Sequence, residues 1–341
     1  MRFVMAVLLA SVCFGTTGTA QALGPEVDPA SLGAARLVIG GGALGALALA
    51  LRLGRRRDAD GTPVASPTGT TPADRAARTA RAARAPRHPL VELLLVGAGA
   101  AGVLAYQPTF FAGTEANGVA IGTVVALGSA PVLTGALDWV LRRRYPGHRW
   151  AAATAIATAG VAVIAAASAP SGGGAPADPL GLLASLGAGA SYAVYTLAAK
   201  ALIDRGWSAT GSMGALFGTG AIFALPLLVA TDASWLAQPA GLAMALWLGL
   251  VTVTIAYLLF GFGLTGLAPA TVSTLTLAEP LTAGLLGVLV LGEHLPAGAV
   301  LGLAVLATGI VVLATGTAGR SKRADQPPGP PAAVSTSSAR A

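Results

Sequence analysis

A glutamate followed by a proline, Glu279-Pro280, stands near the middle of a long apolar run, and this pair is the most specific chemical signal in the chain. An ionisable group at bilayer depth costs about 2.5 kcal/mol or more when it faces lipid, so Glu279 is expected to face a protein interior. Pro280 has no amide proton and frees a carbonyl in the preceding turn, which can line a cavity. Glu279 is therefore a candidate ligand for a solute amine or a proton; the competing reading is a hydrogen bond to Ser or Thr of a neighbouring helix. Arg36 is a second ionisable group inside an apolar run. It can attract the carboxylate of an amino-acid-like solute, pair with Glu26 or Asp28, or snorkel to the interface.

In a chain with only 5% aromatic residues, the polar-tipped groups Tyr106, Gln107, Tyr192, Tyr195, Trp247 and Tyr257 are uncommon and are pocket-lining candidates. Interfacial anchoring is the alternative for those near helix ends, notably Tyr106 and Trp235. Thr16, Thr17 and Gln21 put polar groups about one turn apart on the first run, where packing is the simpler reading. Asp138 and Glu92 fall toward run ends and read as wet groups without a role.

Other chemistries lack their residues. The single Cys13 excludes an intrachain disulfide, and His88, His148 and His294 sit in loops without acids or thiols at metal-ligand spacing, so neither metal nor cofactor is expected. The letters GFGLTG at Gly261 to Gly266 fit a dinucleotide fingerprint, yet no strand precedes them and no acid follows at the ribose distance. No phosphate-cradling loop ends in Lys-Ser or Lys-Thr, so ATP coupling is not expected. A membrane-embedded enzyme would need convergent His, Asp or Cys groups, and the sequence offers none.

The elements that must position these residues follow from hydropathy. With 54% hydrophobic residues, 10% charged residues and a mean hydropathy of +0.72, the chain suits the bilayer as its solvent. A hydrocarbon core about 30 Å thick takes roughly 20 apolar helical residues. Runs of that length are predicted near 3–22, 31–53, 89–111, 117–141, 148–168, 180–202, 209–230, 239–264, 268–291 and 297–315. The predicted fold class is thus an all-α polytopic membrane protein with about ten transmembrane helices. Glycines at four-residue spacing, such as Gly41 and Gly45, Gly118 and Gly122, Gly214 and Gly218, and Gly298 and Gly302, suit close helix contact.

Lys and Arg set the expected orientation, because cytoplasmic loops retain positive charge. Ten spans with a cytoplasmic N-terminus put Arg2, Arg52, the arginines from Arg55 to Arg87, the 142–149 loop, Lys200, Arg205 and the tail on one side, and Glu26, Asp28, Glu115, Asp178, Asp232 and Glu293 on the other. The net charge of +7 is then a matter of topology and anionic lipid, and no nucleic-acid partner is needed. A cleaved signal peptide ending at AQA (Ala20 to Ala22) is the rival for the first run; a retained helix is favoured because LLAS at Leu8 to Ser11 recurs at Leu182 to Ser185.

A repeat at an offset of 149 pairs Pro131 with Pro280, Gly135 with Gly284, Leu137 with Leu286 and Gly160 with Gly309. The expected organisation is a first five-helix repeat over 1–168 with a basic cytoplasmic insertion at 54–88, an external Gly/Pro/Ala linker at 169–179, a second five-helix repeat over 180–316 and a disordered cytoplasmic tail at 317–341. An odd number of helices per repeat inverts the second copy, the arrangement that supports alternating access. The stretch TLAEPLTAGLLGVLVLGEHLPAGAVLGLAVLATGIVVL closely resembles the C-terminal repeat of EamA-type carriers of the drug/metabolite transporter superfamily. FGTTGTAQALG followed by LGAARLVIGG resembles that family's opening helices. Arg143 and Arg144 depart from the family pattern where the first repeat would carry Gly-Glu. The resemblance implies ten helices in two inverted repeats and a secondary transporter of metabolites, amino acids or drug-like solutes, commonly outward, in the cytoplasmic membrane, with a proton as one possible coupling ion. A non-transporting scaffold is the alternative.

Overall fold

The computed structural model describes residues 1–60, 88–143, 145–168 and 177–324. Among them ten helices are long and apolar enough to cross a membrane, and no strand occurs. They are α1 (Arg2–Ala22), α2 (Pro29–Asp60), α3 (Pro89–Gly118), α4 (Ala120–Arg142), α5 (His148–Ser168), α6 (Pro179–Asp204), α7 (Ala209–Ala230), α8 (Pro239–Gly266), α9 (Pro269–Leu291) and α10 (Ala297–Ala324). Large apolar side chains such as Leu93, Leu183, Phe223, Val229 and Leu289 stay exposed on the outside of the bundle, as a bilayer requires.

The ends of the helices carry their own signals. Proline opens α2, α3, α6, α8 and α9. Asp178 and Ser208 accept the free amides of Gly181 and Gly211 as N-caps. Two helices outlast their apolar runs, since α2 continues past Leu53 to Asp60 and α10 past Thr315 to Ala324. Helix needs only its own backbone bonds, so it extends beyond membrane depth. Most of the expected basic insertion, residues 169–176 of the linker and the tail from 325 lie outside the described residues.

Small residues let the backbones meet. A methyl at Gly45 would stand 3.2 Å from the Cα of Gly218, and one at Gly102 would stand 2.8 Å from the Ser191 carbonyl, joining α2 to α7 and α3 to α6. On α5 and α10 the contact is reciprocal. Gly160 lies against Gly302 and Leu306, and Gly309 lies against Ala153 and Ala157. Gly118 does something different from the expected close contact: at φ +80 it faces open space and makes the joint between α3 and α4.

Chain direction places the described cations other than Arg36 together. The start of α1 and α5 and the end of α2, α4 and α6 bring Arg2, Arg149, Arg52, Arg142, Lys200 and Arg205 to one end of the bundle, whereas Glu26, Asp28, Asp178, Asp232 and Glu293 fall at the other. At the arginine-rich end Arg52 lies over the Trp207 ring, and Phe3 packs against Phe262. There Trp150 donates to the Ala270 carbonyl at 2.9 Å and to Thr274 at 3.0 Å, and Thr274 pairs with Thr154 at 2.8 Å. Trp150→Phe is expected to lower stability by about 1 kcal/mol, read as a fall in the midpoint of thermal unfolding in detergent. At the opposite end Trp235 is buried and donates to Ser31, which in turn donates to the Asp232 carbonyl. The Asp232 carboxyl is held below the usual carboxylate range by hydrogen bonds from Ser234.

Candidate substrate cavity

Two local interruptions build the site. In α9 the helix from Pro269 to Leu275 tightens into a 3-10 turn over Thr276–Ala278, and a new helical segment begins at Glu279. Pro280 explains the change: without an amide proton it leaves the carbonyl of Thr276 without its partner four residues on, and a tighter turn takes up the slack. In α8 the backbone adopts a π-helix over Trp247–Ile255 before returning to α geometry. Thr254 of that segment donates to the Gly40 carbonyl of α2 at 3.0 Å, and π-segments of this kind concentrate at functional sites.

Between these elements lies a cavity of about 290 Å³, lined from α1, α2, α3, α4, α6, α8 and α9. Arg36, Tyr106, Gln107, Tyr192, Tyr195, Tyr257, Glu279 and Pro280 all line it. A smaller recess of about 60 Å³ continues past Arg36, Tyr106, Gln107, Tyr195 and Tyr257 toward Val253. Most of the lining comes from the later halves of α1 and α3, the earlier halves of α2 and α4 and the broken part of α9, with Tyr192 and Tyr195 from the middle of α6 and Tyr257 from α8. The cavity therefore sits toward the end away from the arginines.

Charge is arranged across it. Arg36 and Glu279 line the same cavity, and among the described residues neither has a hydrogen-bond or ion-pair partner; the ion pairs there join Arg142 to Asp138 and Asp204, and Lys200 to Asp204. Arg36 thus pairs with neither Glu26 nor Asp28, and its side chain lines the cavity. The tyrosines are held by their hydroxyls. Tyr192 bonds Thr276 at 2.9 Å, and Thr276 donates onward to the Ser273 carbonyl, so Tyr192 is the donor of the pair. Tyr195 bonds Tyr257 at 3.1 Å, and their rings pack with Phe14, Phe217 and Phe260. Tyr106 stacks on Phe110 and is no interfacial anchor.

Trp247 does not line the cavity. The residue is 47% exposed and its indole N–H donates to Thr16 at 3.0 Å. Trp247 stands out by residue type alone, and type does not tell which way a side chain on an apolar helix faces. Thr17 and Gln21 line the cavity although packing was the simpler reading, and Thr123, Ser273 and Thr276 join them. Ser and Thr are frequent in membrane helices as backbone partners, so type alone did not single these out. Asp138, expected to be wet, is only 5% exposed and lies against Arg142.

The comparisons with known proteins agree with one another. The EamA-like transporter family matches residues 179–315. An uncharacterized transporter of Bacillus subtilis (strain 168), YwfM, is 37% identical over 308 residues, covering 90% of this chain and 92% of its own. A crystal structure of a protein with 21% identity superposes with a TM-score of 0.67 over 95% of this chain and 99% of its own, which speaks for the fold alone. With ten membrane-spanning helices and a transporter relative aligned over nine tenths of its length, the chain belongs to the EamA-like transporter family.

Proposed function

We propose that the chain is a secondary carrier for small solutes bearing both a carboxylate and an amine, exported across the cytoplasmic membrane by alternating access. The observation that carries this reading is that Arg36 and Glu279, neither with a hydrogen-bond or ion-pair partner among the described residues, stand on the wall of one cavity. Each costs several kcal/mol to hold at bilayer depth, and a zwitterion bound between them satisfies both at once. The volume, about 290 Å³, is at the small end of ligand sites, which suits an amino-acid-sized solute with its side chain among Phe14, Tyr192, Tyr195 and Tyr257.

Alternating access is supported by the offset of 149. It maps Ala153 on Gly302, Ala157 on Leu306 and Gly160 on Gly309, so the reciprocal contacts of α5 and α10 are those that a twofold axis between inverted repeats requires. The same offset sets Ala130 opposite Glu279, and both line the cavity. The arginine-rich end is assigned to the cytoplasm, with both termini there.

Untargeted mass spectrometry of medium and cell extract tests the reading, comparing cells that express the native chain with cells expressing Glu279→Ala at matched membrane levels. An amine-carboxylate solute is expected to accumulate in the medium only with the native chain. Identical profiles across a broad solute panel would favour import or a scaffold role and demote Glu279 to structure.

A further inference from the structure

The cavity sits toward the end away from the arginines, so a carrier needs a route to the arginine-rich end as well, and two parallel helices mark where it runs. On α4, positions 130, 134, 138 and 142 recur every four residues and share one face: Ala130 in the cavity wall, then Thr134, Asp138 and Arg142. On α6 the same spacing gives Tyr192 in the wall, then Thr196, Lys200 and Asp204. The helices touch beside the cavity, where Gly189 lies against Ser129 and Ala130, and again at their ends through Arg142 and Asp204.

Thr134, Asp138 and Thr196 are almost fully buried, and the Thr196 hydroxyl has no hydrogen-bond partner. An orphaned hydroxyl between a cavity and a charged cluster has no packing purpose that a valine would not serve better. Beyond it the charges close into one network. Arg142 Nε lies 2.6 Å from Asp138 Oδ1 and its Nη1 donates to Asp204 Oδ2 at 2.8 Å, while Lys200 Nζ stands 3.0 Å from Asp204 Oδ1 and donates to the Leu264 carbonyl at the end of α8 at 2.9 Å. Three helices are thereby tied at one end. By the offset of 149, Asp138 and Arg142 map on Gly287 and Leu291 of α9, so the second repeat carries no acid and arginine at those two positions.

We propose that Asp138, Arg142, Lys200 and Asp204 form an ionic latch that closes the arginine-rich end of the transport path, and that Thr134 and Thr196 are polar steps of that path, hydrated when the latch parts. The proposal rests on the carrier reading but not on the identity of its cargo.

The test uses the full chain in membrane vesicles of both orientations, with Cys13→Ser as background and Thr134→Cys or Thr17→Cys as reporters, labelled by a charged, membrane-impermeant methanethiosulfonate. Adding Asp204→Asn, whose site is 41% exposed and tolerant, is expected to raise labelling of Thr134→Cys from the arginine-rich side at least tenfold. It should also lower labelling of Thr17→Cys from the other side severalfold, because opening one end closes the other. Lys200→Met should act alike, and Asp204→Glu should retain the native pattern. Unchanged rates at both reporters, or a rise at both, would make the network a static staple and overturn the proposal. Labelling needs no cargo, so these outcomes stand apart from the solute profile that tests the function.

Discussion

Glu279→Gln is expected to lower the apparent affinity for the transported solute about 100-fold while membrane abundance stays native. Gln keeps the shape of the side chain and removes its charge. Truncating one partner of a desolvated charge pair costs about 2–5 kcal/mol, and roughly 1.4 kcal/mol is tenfold, so 100-fold lies within the range. Arg36→Gln should act on the other pole. Native protein should bind a zwitterion far better than the same solute lacking its carboxylate, and Arg36→Gln should level the two. Uptake or efflux of radiolabelled solute and of its amine analogue in proteoliposomes measures both effects. A Glu279→Gln variant that retains downhill flux but ignores an imposed pH gradient would make Glu279 the proton carrier and leave amine recognition to other groups.

Gly160→Leu is expected to remove at least 3 kcal/mol of stability, enough to abolish folded protein in detergent. Overpacking by a few carbons costs typically 1–3 kcal/mol when side chains can move aside. Here the neighbour is backbone: a methyl at Gly160 would meet the amide of Leu306 and stand 2.7 Å from the Gly302 carbonyl. Helices α5 and α10 must separate for it to fit. The gentler pair Gly160→Ala and Gly309→Ala should cost nearly equal amounts, because Gly309 meets the amide of Ala157 at 2.7 Å and the Ala153 carbonyl at 2.8 Å. Thermal unfolding in detergent, followed by size-exclusion fluorescence, measures both. Strongly unequal costs would count against the twofold relation between the repeats.

The ten helices were legible from the sequence for a simple reason. A bilayer forces every backbone group of a span to bond within its own helix, so length and hydropathy alone determine the elements. Glu279, Pro280 and Arg36 were legible for the complementary reason: charge and proline are costly at that depth and stand out against Ala, Gly, Leu and Val. Tyr192, Tyr195 and Tyr257 stood out by rarity in an aromatic-poor chain.

Rotation about each helix axis was decided only by the tertiary structure. Where both faces of a helix are apolar, no period distinguishes the cavity side from the lipid side. Trp247 and Tyr257 share one helix and similar chemistry, yet the π-segment and the contact of Thr254 with Gly40 bring Tyr257 to the cavity and leave Trp247 beside Thr16. Thr17, Gln21 and Thr276 reach the cavity for the same reason, through packing partners far away in the chain. Asp138 reads as a wet helix end in isolation, and it is packing against its neighbours that buries it within an ionic cluster whose Arg142 and Asp204 stay partly exposed. Apolar length and the cost of buried charge are local properties that the sequence determines by itself; which polar groups converge depends on helix rotation and long-range contact, and only the packed bundle decides it.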